Sequence, residues 1–402
     1  MTRLLYLSYD GLLDPLGQSQ ILPYLFRLTG PDRRWTVVSF EKPGREPEAE
    51  SLERRLREAG IRWIRLRYHR RPPIGSTVWD LAAGWWTVRR ACRNRPPEVL
   101  HARSYVAALL ALWLKRPFES KFLFDIRGFW PDEKVEGGFW KAGGWLYRIT
   151  KRLERRFFEA ADHIVTLTDR SREILEQRFQ TEGIRRPITV IPTCADLERF
   201  RPAQKRAGGP LRLVYAGSAG GAYLLPEMAD FFRAVRRLRP DTRWEILSPR
   251  PDPQIETAIA GLDSSAVTVR ILSHDQVAGA LAGADASLCL IRPVSSKTAS
   301  CPTKIGESLA CGLPVVVTAG IGDCDRLIGE GRVGVVLSDC SEAALNRAAR
   351  ELLALLAEGE TLWARCRRAA ESCFDLGQGV RKYQSVYRQL IESAKSCPNQ
   401  LL

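Results

Sequence analysis

The 402-residue sequence predicts an α/β protein with two doubly wound parallel sheets, one in each half of the chain. Three observations lead to this prediction. Short apolar segments of strand length alternate with longer helical segments, this alternation restarts near residue 210, and a glycine-containing turn follows the first strand of each half. The length also suits two domains of about 200 residues better than a single core.

The first half reads as alternating strands and helices, which favours a parallel sheet covered on both faces. Its predicted strands are Leu4–Tyr9, Trp35–Phe40, Ile61–Leu66, Val99–Ala102, Phe122–Asp125, His163–Leu167 and Thr189–Ile191. Its predicted helices are Gln18–Leu28, Ser51–Ala59, Val78–Arg93, Tyr105–Leu114 and a long helix that ends near Ala161.

The second half repeats this layout after a segment rich in proline, glycine and charge. Its predicted strands are Leu211–Ala216, Trp244–Leu247, Val267–Leu272, Ala286–Ile291, Pro314–Thr318 and Gly334–Leu337. Its predicted helices are Leu225–Arg237, Gln276–Gly283, Lys304–Ala310, Glu342–Phe374 and Gly379–Lys395. We therefore expect domains at 1–195 and 210–375, a linker at 196–209 and a helical tail at 376–402, with a ligand site in a cleft where the two domains face each other.

Composition excludes several classes of protein. A content of 45% hydrophobic and 27% charged residues is typical of globular chains, so disorder and fibres are excluded. Ten cysteines without close pairing, several inside apolar runs, indicate free thiols in a reducing compartment, and four histidines without ligand spacing argue against zinc. No signal peptide and no membrane-spanning run are recognisable, so a cytoplasmic location is expected.

The positive charge is concentrated in the first half, where residues 1–200 hold 36 basic and 25 acidic side chains, against 25 and 21 in the rest. Two basic segments also contain aromatic residues, namely Lys141–Arg156 and the stretch from Trp85-Trp86 to Arg90. They could contact anionic lipid headgroups on the inner face of a membrane. They could equally be helices that bury their aromatic rings and expose their arginines.

The segment from Cys301 to Val315 contains the most informative polar residues. Thr303 is predicted to be an N-cap, which places Lys304 in the first helical turn and Glu307 on the same face. A cation at a helix N-terminus is unfavourable unless an anion is bound there, so this pattern fits a nucleoside diphosphate, with Lys304 on phosphate and Glu307 on ribose. The alternative is an exposed ion pair between the two side chains.

Several motifs together resemble the retaining, nucleotide-sugar-dependent glycosyltransferases of the GT-B fold, in a bacterial subgroup that makes polysaccharide or lipopolysaccharide. They are Leu4–Leu25, Phe124–Trp130 with Asp132-Glu133, Val190–Thr193, Tyr215–Ser218 and Pro302–Val316. The resemblance covers essentially the whole chain. It implies two Rossmann-like domains, with the C-terminal helix returning toward the N-terminal domain.

The resemblance also implies roles for particular residues. The donor is expected to be a UDP- or GDP-linked sugar, bound by Gly17, Gln18, Gly217, Ser218, Thr303, Lys304 and Glu307. The first glutamate of the family's paired motif falls at Ala299, and Gly217–Tyr223 lacks the family's basic residues. Arg292, Lys297 or Lys304 could supply that positive charge instead. Asp14, Arg103 and Glu133 are expected to contact a glycan or lipid-linked acceptor. The expected catalytic residues are Asp125 and Arg127, near the reacting carbon, together with Glu307.

Family chemistry implies a front-side reaction in which helix N-termini and Lys304 stabilise the leaving diphosphate, without cofactor, metal or enzymic nucleophile. The alternative for Asp125 and Arg127 is a buried structural ion pair. Three other functions stay open: a sugar-nucleotide epimerase, a catalytically inactive relative and a nucleic-acid-binding protein. The last is disfavoured because no nucleic-acid-binding motif is present and the charge is scattered, so no nucleic acid is expected as a partner.

Overall fold

A computed structural model describes residues 1–203 and 208–395. The middle of the predicted linker, 204–207, and the end of the predicted tail, 396–402, which includes Cys397, lie outside the described residues. The chain folds into two compact units, one formed by 1–191 together with the C-terminal segment from 377, and the other by 192–376.

The first unit is built on a seven-stranded parallel sheet in the order β3-β2-β1-β4-β5-β6-β7. Its strands are β1 Thr2–Ser8, β2 Arg33–Glu41, β3 Ile61–Arg67, β4 Val99–Arg103, β5 Lys121–Asp125, β6 His163–Thr166 and β7 Ile188–Val190. Its helices are α1 Pro15–Gln20, α2 Leu22–Leu28, α3 Glu46–Glu58, α4 Pro73–Cys92, α5 Ser104–Phe118, α6 Trp130–Glu136, α7 Trp145–Ala160 and α8 Asp169–Glu182.

The second unit is built on a six-stranded parallel sheet in the order β10-β9-β8-β11-β12-β13. Its strands are β8 Arg212–Ala216, β9 Arg243–Ser248, β10 Val267–Ile271, β11 Ala286–Cys289, β12 Val315–Thr318 and β13 Gly334–Leu337. Its helices are α9 Leu225–Leu238, α10 Pro253–Ile259, α11 His274–Ala282, α12 Thr303–Ala310, α13 Glu342–Leu356 and α14 Glu360–Cys373.

The last helix, α15 Leu376–Lys395, packs on the first unit. Its buried side chains include Val380, Tyr383, Val386, Tyr387 and Leu390. This return of the C-terminal helix and the two doubly wound sheets confirm the predicted architecture. In the described part of the chain, no helix is both long and apolar enough to cross a membrane.

Three predicted helices have different bounds because of proline or glycine. The helix predicted from Gln18 to Leu28 is two helices that meet at Ile21, since Pro23 has no N–H to continue the first one. Helix α4 starts at Pro73, five residues before the predicted Val78, because proline is tolerated in a first turn. The single helix predicted across the end of the second unit breaks at Gly359, whose φ is +57°.

The segment predicted as a linker contributes to the second unit where it is described. Phe200 is 2% exposed in the core of that unit. The Arg367 guanidinium donates to the Phe200 carbonyl oxygen at 2.8 Å, which ties this segment to α14. The part of the segment before residue 204 is therefore packed onto the second unit.

Candidate functional site

Each sheet has a switch point, between β1 and β4 in the first unit and between β8 and β11 in the second. The connections on the two sides of a switch point leave in opposite directions, which opens a crevice at the carboxyl ends of the strands. The predicted site residues Arg103 and Asp125 end β4 and β5, and Gly217 follows β8 directly. Both groups lie at the edge where a doubly wound sheet binds ligands.

Lys304 is the most unusual side chain at the second switch point. It is 8% exposed, and its ammonium nitrogen has no hydrogen-bond partner within the described chain. The nitrogen lies 4.2 Å from the ring centroid of Tyr215 and 3.6 Å from that of Tyr223. Burial lowers the pKa of Lys304 to about 8. The cation is thus held by aromatic rings and still lacks an acceptor for its protons.

The absence of a side chain at Gly217 leaves room for this ammonium group. The φ of Gly217 is +146°, and a Cβ atom built there would lie 2.6 Å from Lys304 Nζ. The Tyr215 hydroxyl donates to the carbonyl oxygen of Ser218 at 2.8 Å, which fixes the turn against the same aromatic ring. Gly217 and Lys304, predicted from separate motifs, are therefore neighbours, and Ser218 belongs to the same turn as Gly217.

Glu307 lies one turn after Lys304 on α12 and is also 8% exposed. Burial raises the pKa of Glu307 to about 7, and the positive charges of Arg199 and Lys304 oppose this rise. Because both side chains are buried, the alternative of an exposed ion pair between Lys304 and Glu307 is wrong. Arg199 comes from the segment predicted as a linker, so its place near Glu307 was missed.

The start of α12 differs from the prediction for Thr303. The N-cap residue is Pro302, and Thr303 is the first residue of the helix, so the predicted capping role of Thr303 is wrong. The segment before the helix is instead fixed by Thr193, whose hydroxyl donates to the Cys301 carbonyl oxygen at 2.7 Å. Ala299, at the place of the family's first glutamate, is 1% exposed.

The other basic candidates of the second unit lie in the segment after β11. Arg292 is exposed, and its backbone N–H donates to the Ala222 carbonyl oxygen at 2.7 Å. Lys297 is half-buried in a short 3-10 helix, Ser295–Ala299. Asp325 accepts the Gly320 N–H at 3.0 Å, which is a turn-capping contact. Among the described residues, no three His, Cys, Asp or Glu side chains are grouped as metal ligands would be.

Asp125 is the centre of a buried polar network in the first unit. It is fully buried, and its Oδ2 atom accepts the Tyr383 hydroxyl at 2.9 Å and lies 3.5 Å from His101 Nε2. Arg127 and Arg103 approach its oxygens at 3.7 and 3.9 Å. Burial by itself would raise the pKa of Asp125, but these positive charges and the His101 contact lower it to about 2. The buried ion pair considered for Asp125 and Arg127 is therefore present.

The network joins β4 and β5 to α15. His101 Nδ1 lies 2.7 Å from the Tyr387 hydroxyl, and burial lowers the pKa of His101, so a neutral ring accepts that hydroxyl proton. Sequence reasoning missed His101, Tyr383 and Tyr387, because the pairs are separated by 286 and 258 positions along the chain. The signals that the sequence did offer were a histidine inside the apolar strand Val99–Arg103 and two tyrosines four residues apart in α15.

The remaining candidates of the first unit lie in separate contacts. A Cβ atom at Gly17 would lie 2.3 Å from the Gly11 carbonyl oxygen, so the close approach of α1 to its own preceding loop requires glycine. Gln18 donates to the Leu12 carbonyl oxygen at 2.9 Å, and Asp14 pairs with Lys42 at 2.9 Å. Glu133 is half-buried in the first turn of α6. Ligand contacts by Asp14, Gly17, Gln18 and Glu133 stay predictions.

Two Rossmann-like sheets with polar residues at both switch points are the architecture of the GT-B class. Residues 31–194 match the glycosyl transferase 4-like domain, and residues 211–355 match the glycosyl transferases group 1. These matches together span more than half of the chain. The chain therefore belongs to the group 1 glycosyltransferases of the GT-B fold. No curated protein sequence matches it.

Solved structures of similar fold cover nearly the whole chain. Sucrose-phosphate synthase from Thermosynechococcus elongatus is 16% identical with a TM-score of 0.71, covering 98% of this chain and 100% of its own. Anabaena HepE in complex with UDP and glucose is 13% identical with a TM-score of 0.67, covering 96% and 100%. WaaG, a glycosyltransferase involved in lipopolysaccharide biosynthesis, is 16% identical with a TM-score of 0.65, covering 95% and 99%. At these identities the likeness concerns the fold.

Proposed function

We propose that the protein transfers a sugar from a nucleoside-diphosphate sugar, with the diphosphate bound at Gly217 and Lys304. The observation that carries this proposal is the Lys304 ammonium, which is buried, lacks a hydrogen-bond partner in the described chain and faces a glycine turn at the switch point. A buried unpartnered charge is costly, so its natural complement is an anionic ligand. The UDP complex of the similarly folded Anabaena protein supports a uridine nucleotide.

Glu307 supplies the second contact of the proposed donor site. It lies on the same face of α12 as Lys304 and is buried beside it. A carboxylate that accepts two hydroxyl protons suits the ribose of the nucleotide. Lys304 is therefore assigned to the diphosphate, and Glu307 to the nucleoside.

Retention of the anomeric configuration and independence from metal complete the proposed reaction. As the sugar–phosphate bond breaks, negative charge grows on the diphosphate, and an ammonium already in place stabilises it. A divalent cation does the same work in other sites. The acceptor oxygen then bonds to the anomeric carbon from the face that the phosphate has just left, and the leaving phosphate takes the proton of that oxygen. Activity in the presence of EDTA and NMR of the anomeric proton of the product test these two features.

We propose a glycan or lipid-linked acceptor that reaches the first unit at the carboxyl ends of β4 and β5. Asp125 is fully buried and holds Arg103 and Arg127 by charge. Its role in this proposal is to position the two guanidinium groups. A lipid-linked acceptor places the protein at the cytoplasmic face of a membrane, and the surface that would meet it is treated below.

The test is a binding titration with UDP, GDP, ADP and inorganic diphosphate. A nucleotide at 100 times its dissociation constant should raise the stability by about 2.7 kcal/mol, which a thermal shift detects. Lys304→Met is expected to lower the affinity for both UDP and inorganic diphosphate by about tenfold or more. Glu307→Ala should lower the affinity for UDP and leave the affinity for inorganic diphosphate unchanged.

The matched control is Arg243→Met, which removes an exposed cation at the amino end of β9, the opposite edge of the same sheet. Its affinity for UDP should equal that of the unmodified protein. Unchanged UDP affinity in Lys304→Met would refute the donor site. Conversion of a UDP-sugar without acceptor and without release of UDP would favour the epimerase. Binding with no transfer to any acceptor would favour the inactive relative.

A further inference from the structure

The outward face of α4 is apolar over three turns. The residues on the inner side of the helix are Ser76, Asp80, Leu81, Gly84, Val88 and Cys92, all buried. On the other side, Ile74 is 49% exposed, Val78 58%, Trp79 66% and Trp86 60%. Val78 follows Ile74 by four residues and Trp86 follows Trp79 by seven, with the exposed Ala82 between them, so these side chains form one stripe along the helix. Soluble proteins rarely expose a continuous apolar patch of this kind, and such patches mark interaction surfaces.

Arginines stand at both ends of this stripe. Arg70 and Arg71 precede the helix, and Arg89, Arg90 and Arg93 are exposed at its C-terminal end. The Arg89 guanidinium lies over the Trp85 ring at 5.2 Å, and that of Arg90 over the Trp86 ring at 5.5 Å. The stripe is thus apolar in the middle and cationic at its ends.

No acidic side chain neutralises these arginines from α4 itself. Between residues 68 and 97 the sequence contains six arginines and one acid, Asp80. Asp80 is 1% exposed and points inward, where it accepts the Tyr9 hydroxyl at 2.9 Å and the His69 backbone N–H at 3.1 Å. The Asp80 carboxylate is therefore paired inside the unit, and the charged side chains on the outward face of α4 are all positive.

A cavity of about 570 Å³ lies beside the C-terminal end of the stripe. Its walls combine indole rings and guanidinium groups with the end of α5, and they include Trp85, Trp86, Arg89, Arg90, Arg93 and Phe118. Guanidinium groups bind phosphate through paired N–H donors, and the rings offer an apolar wall beside it. These are the two parts of a phospholipid, its headgroup phosphate and the start of its acyl chain.

We infer that the outward face of α4 binds the surface of an anionic lipid bilayer, with the helix lying in the plane of the membrane. Trp79 and Trp86 enter the boundary between headgroups and acyl chains, and Arg89, Arg90 and Arg93 contact headgroup phosphates. A nucleic acid would use the arginines but would leave the apolar stripe in water. The stripe therefore selects lipid over a soluble polyanion.

Helix α7 is the other basic and aromatic helix of this unit and provides a comparison. Trp145 and Ile149 are 63% and 45% exposed on it, one turn apart, but the face beyond them is charged. Arg155 is paired with Glu159 at 2.8 Å and lies 3.9 Å from Glu182. Part of its positive charge is therefore neutralised by its own neighbours, and its exposed apolar side chains extend over about one turn, against three in α4. The inference accordingly concerns α4.

This inference names the surface for the membrane contact proposed above. It is tested without donor or acceptor, so its failure would leave the proposed transfer reaction intact. The full chain is sedimented with vesicles of phosphatidylcholine alone and with vesicles containing phosphatidylglycerol, at low and high salt. We expect the protein to bind the anionic vesicles. The double variant Trp79→Ser/Trp86→Ser should bind them with an affinity lower by about tenfold or more. Arg89→Gln and Arg93→Gln should each lower this affinity about fivefold at low salt.

Matched controls come from the second unit, where Leu238→Ser removes an exposed apolar side chain and Arg243→Gln an exposed cation. Both should bind vesicles like the unmodified protein. Val78→Glu provides a second disruption of the stripe, and thermal unfolding checks that each variant is folded. Equal binding by the tryptophan variant, loss of binding only in Trp145→Ser, or binding of soluble polyphosphate in place of vesicles would each overturn the inference.

Discussion

Lys304 carries a charge that the protein itself does not fully compensate. Two tyrosine rings stabilise the ammonium, and cation–π contacts of this kind contribute on the order of 1–2 kcal/mol when desolvated. They offer no oxygen to its three N–H groups. The lowered pKa expresses this imbalance, because the neutral amine is easier to bury than the ammonium.

This pKa predicts how diphosphate binding depends on pH. With a pKa of about 8 in the free protein, Lys304 loses its proton as the pH rises through 8, while a bound diphosphate keeps it protonated. The affinity for UDP is therefore expected to be about tenfold weaker at pH 9 than at pH 7. Calorimetric titration at the two pH values measures this. In Lys304→Met this decline should be absent, and any remaining change in affinity should come from Glu307, whose pKa of about 7 lies close to the same interval. An equal decline in that variant would contradict the assignment.

At the scale of an element, the turn after β8 contains three glycines, and Gly217 and Gly221 differ in what surrounds them. Gly217 has a φ of +146° and faces Lys304 Nζ, whereas Gly221 has a φ of +66° and no atom within 4 Å of a built Cβ. Gly217→Ala is expected to displace the ammonium and weaken UDP binding at least about tenfold. Gly221→Ala should cost about 1 kcal/mol of stability and leave UDP binding unchanged. Equal affinities in the two variants would contradict this role of the turn.

The contact between α15 and β5 is a second element-scale feature. Tyr383 donates to the fully buried Asp125, so Tyr383→Phe removes one of the bonds that keep this carboxylate charged. We expect a loss of about 1–3 kcal/mol. A double-mutant cycle with Asp125→Asn, followed by thermal unfolding, isolates the pair. Strict additivity of the two changes would show that the hydroxyl and the carboxylate do not interact energetically.

Local patterns predicted the elements better than they predicted the pairs that complete the sites. The strand at Val99–Ala102 and the helix at Lys304–Ala310 were recognised from apolar runs, and both are present with ends shifted by one residue. The partners of Lys304 were recognisable only as tyrosines that flank a glycine turn. The partner of Asp125 could not be recognised, because 258 residues separate it from Tyr383 and spacing has no meaning over that distance.

At the scale of the whole molecule, the division of the chain predicts two unfolding events. A chain that ends after Asp375 lacks all of the α15 side chains buried in the first unit, including Tyr383 and Tyr387. Calorimetry should then show that the cooperative transition of the first unit is lost and that of the second is kept. UDP should still raise the temperature of the remaining transition. Two transitions in the shortened chain would contradict this assignment.

Tyr383 is synthesised long after Asp125, which affects how the chain folds on the ribosome. At roughly 5–20 residues per second, the interval between residues 125 and 383 is on the order of ten seconds or more. During that interval the buried carboxylate of the first unit has no hydroxyl from α15. The second unit is continuous from 192 to 376 and needs nothing that follows it. The unit that leaves the ribosome second is therefore the first that can finish folding.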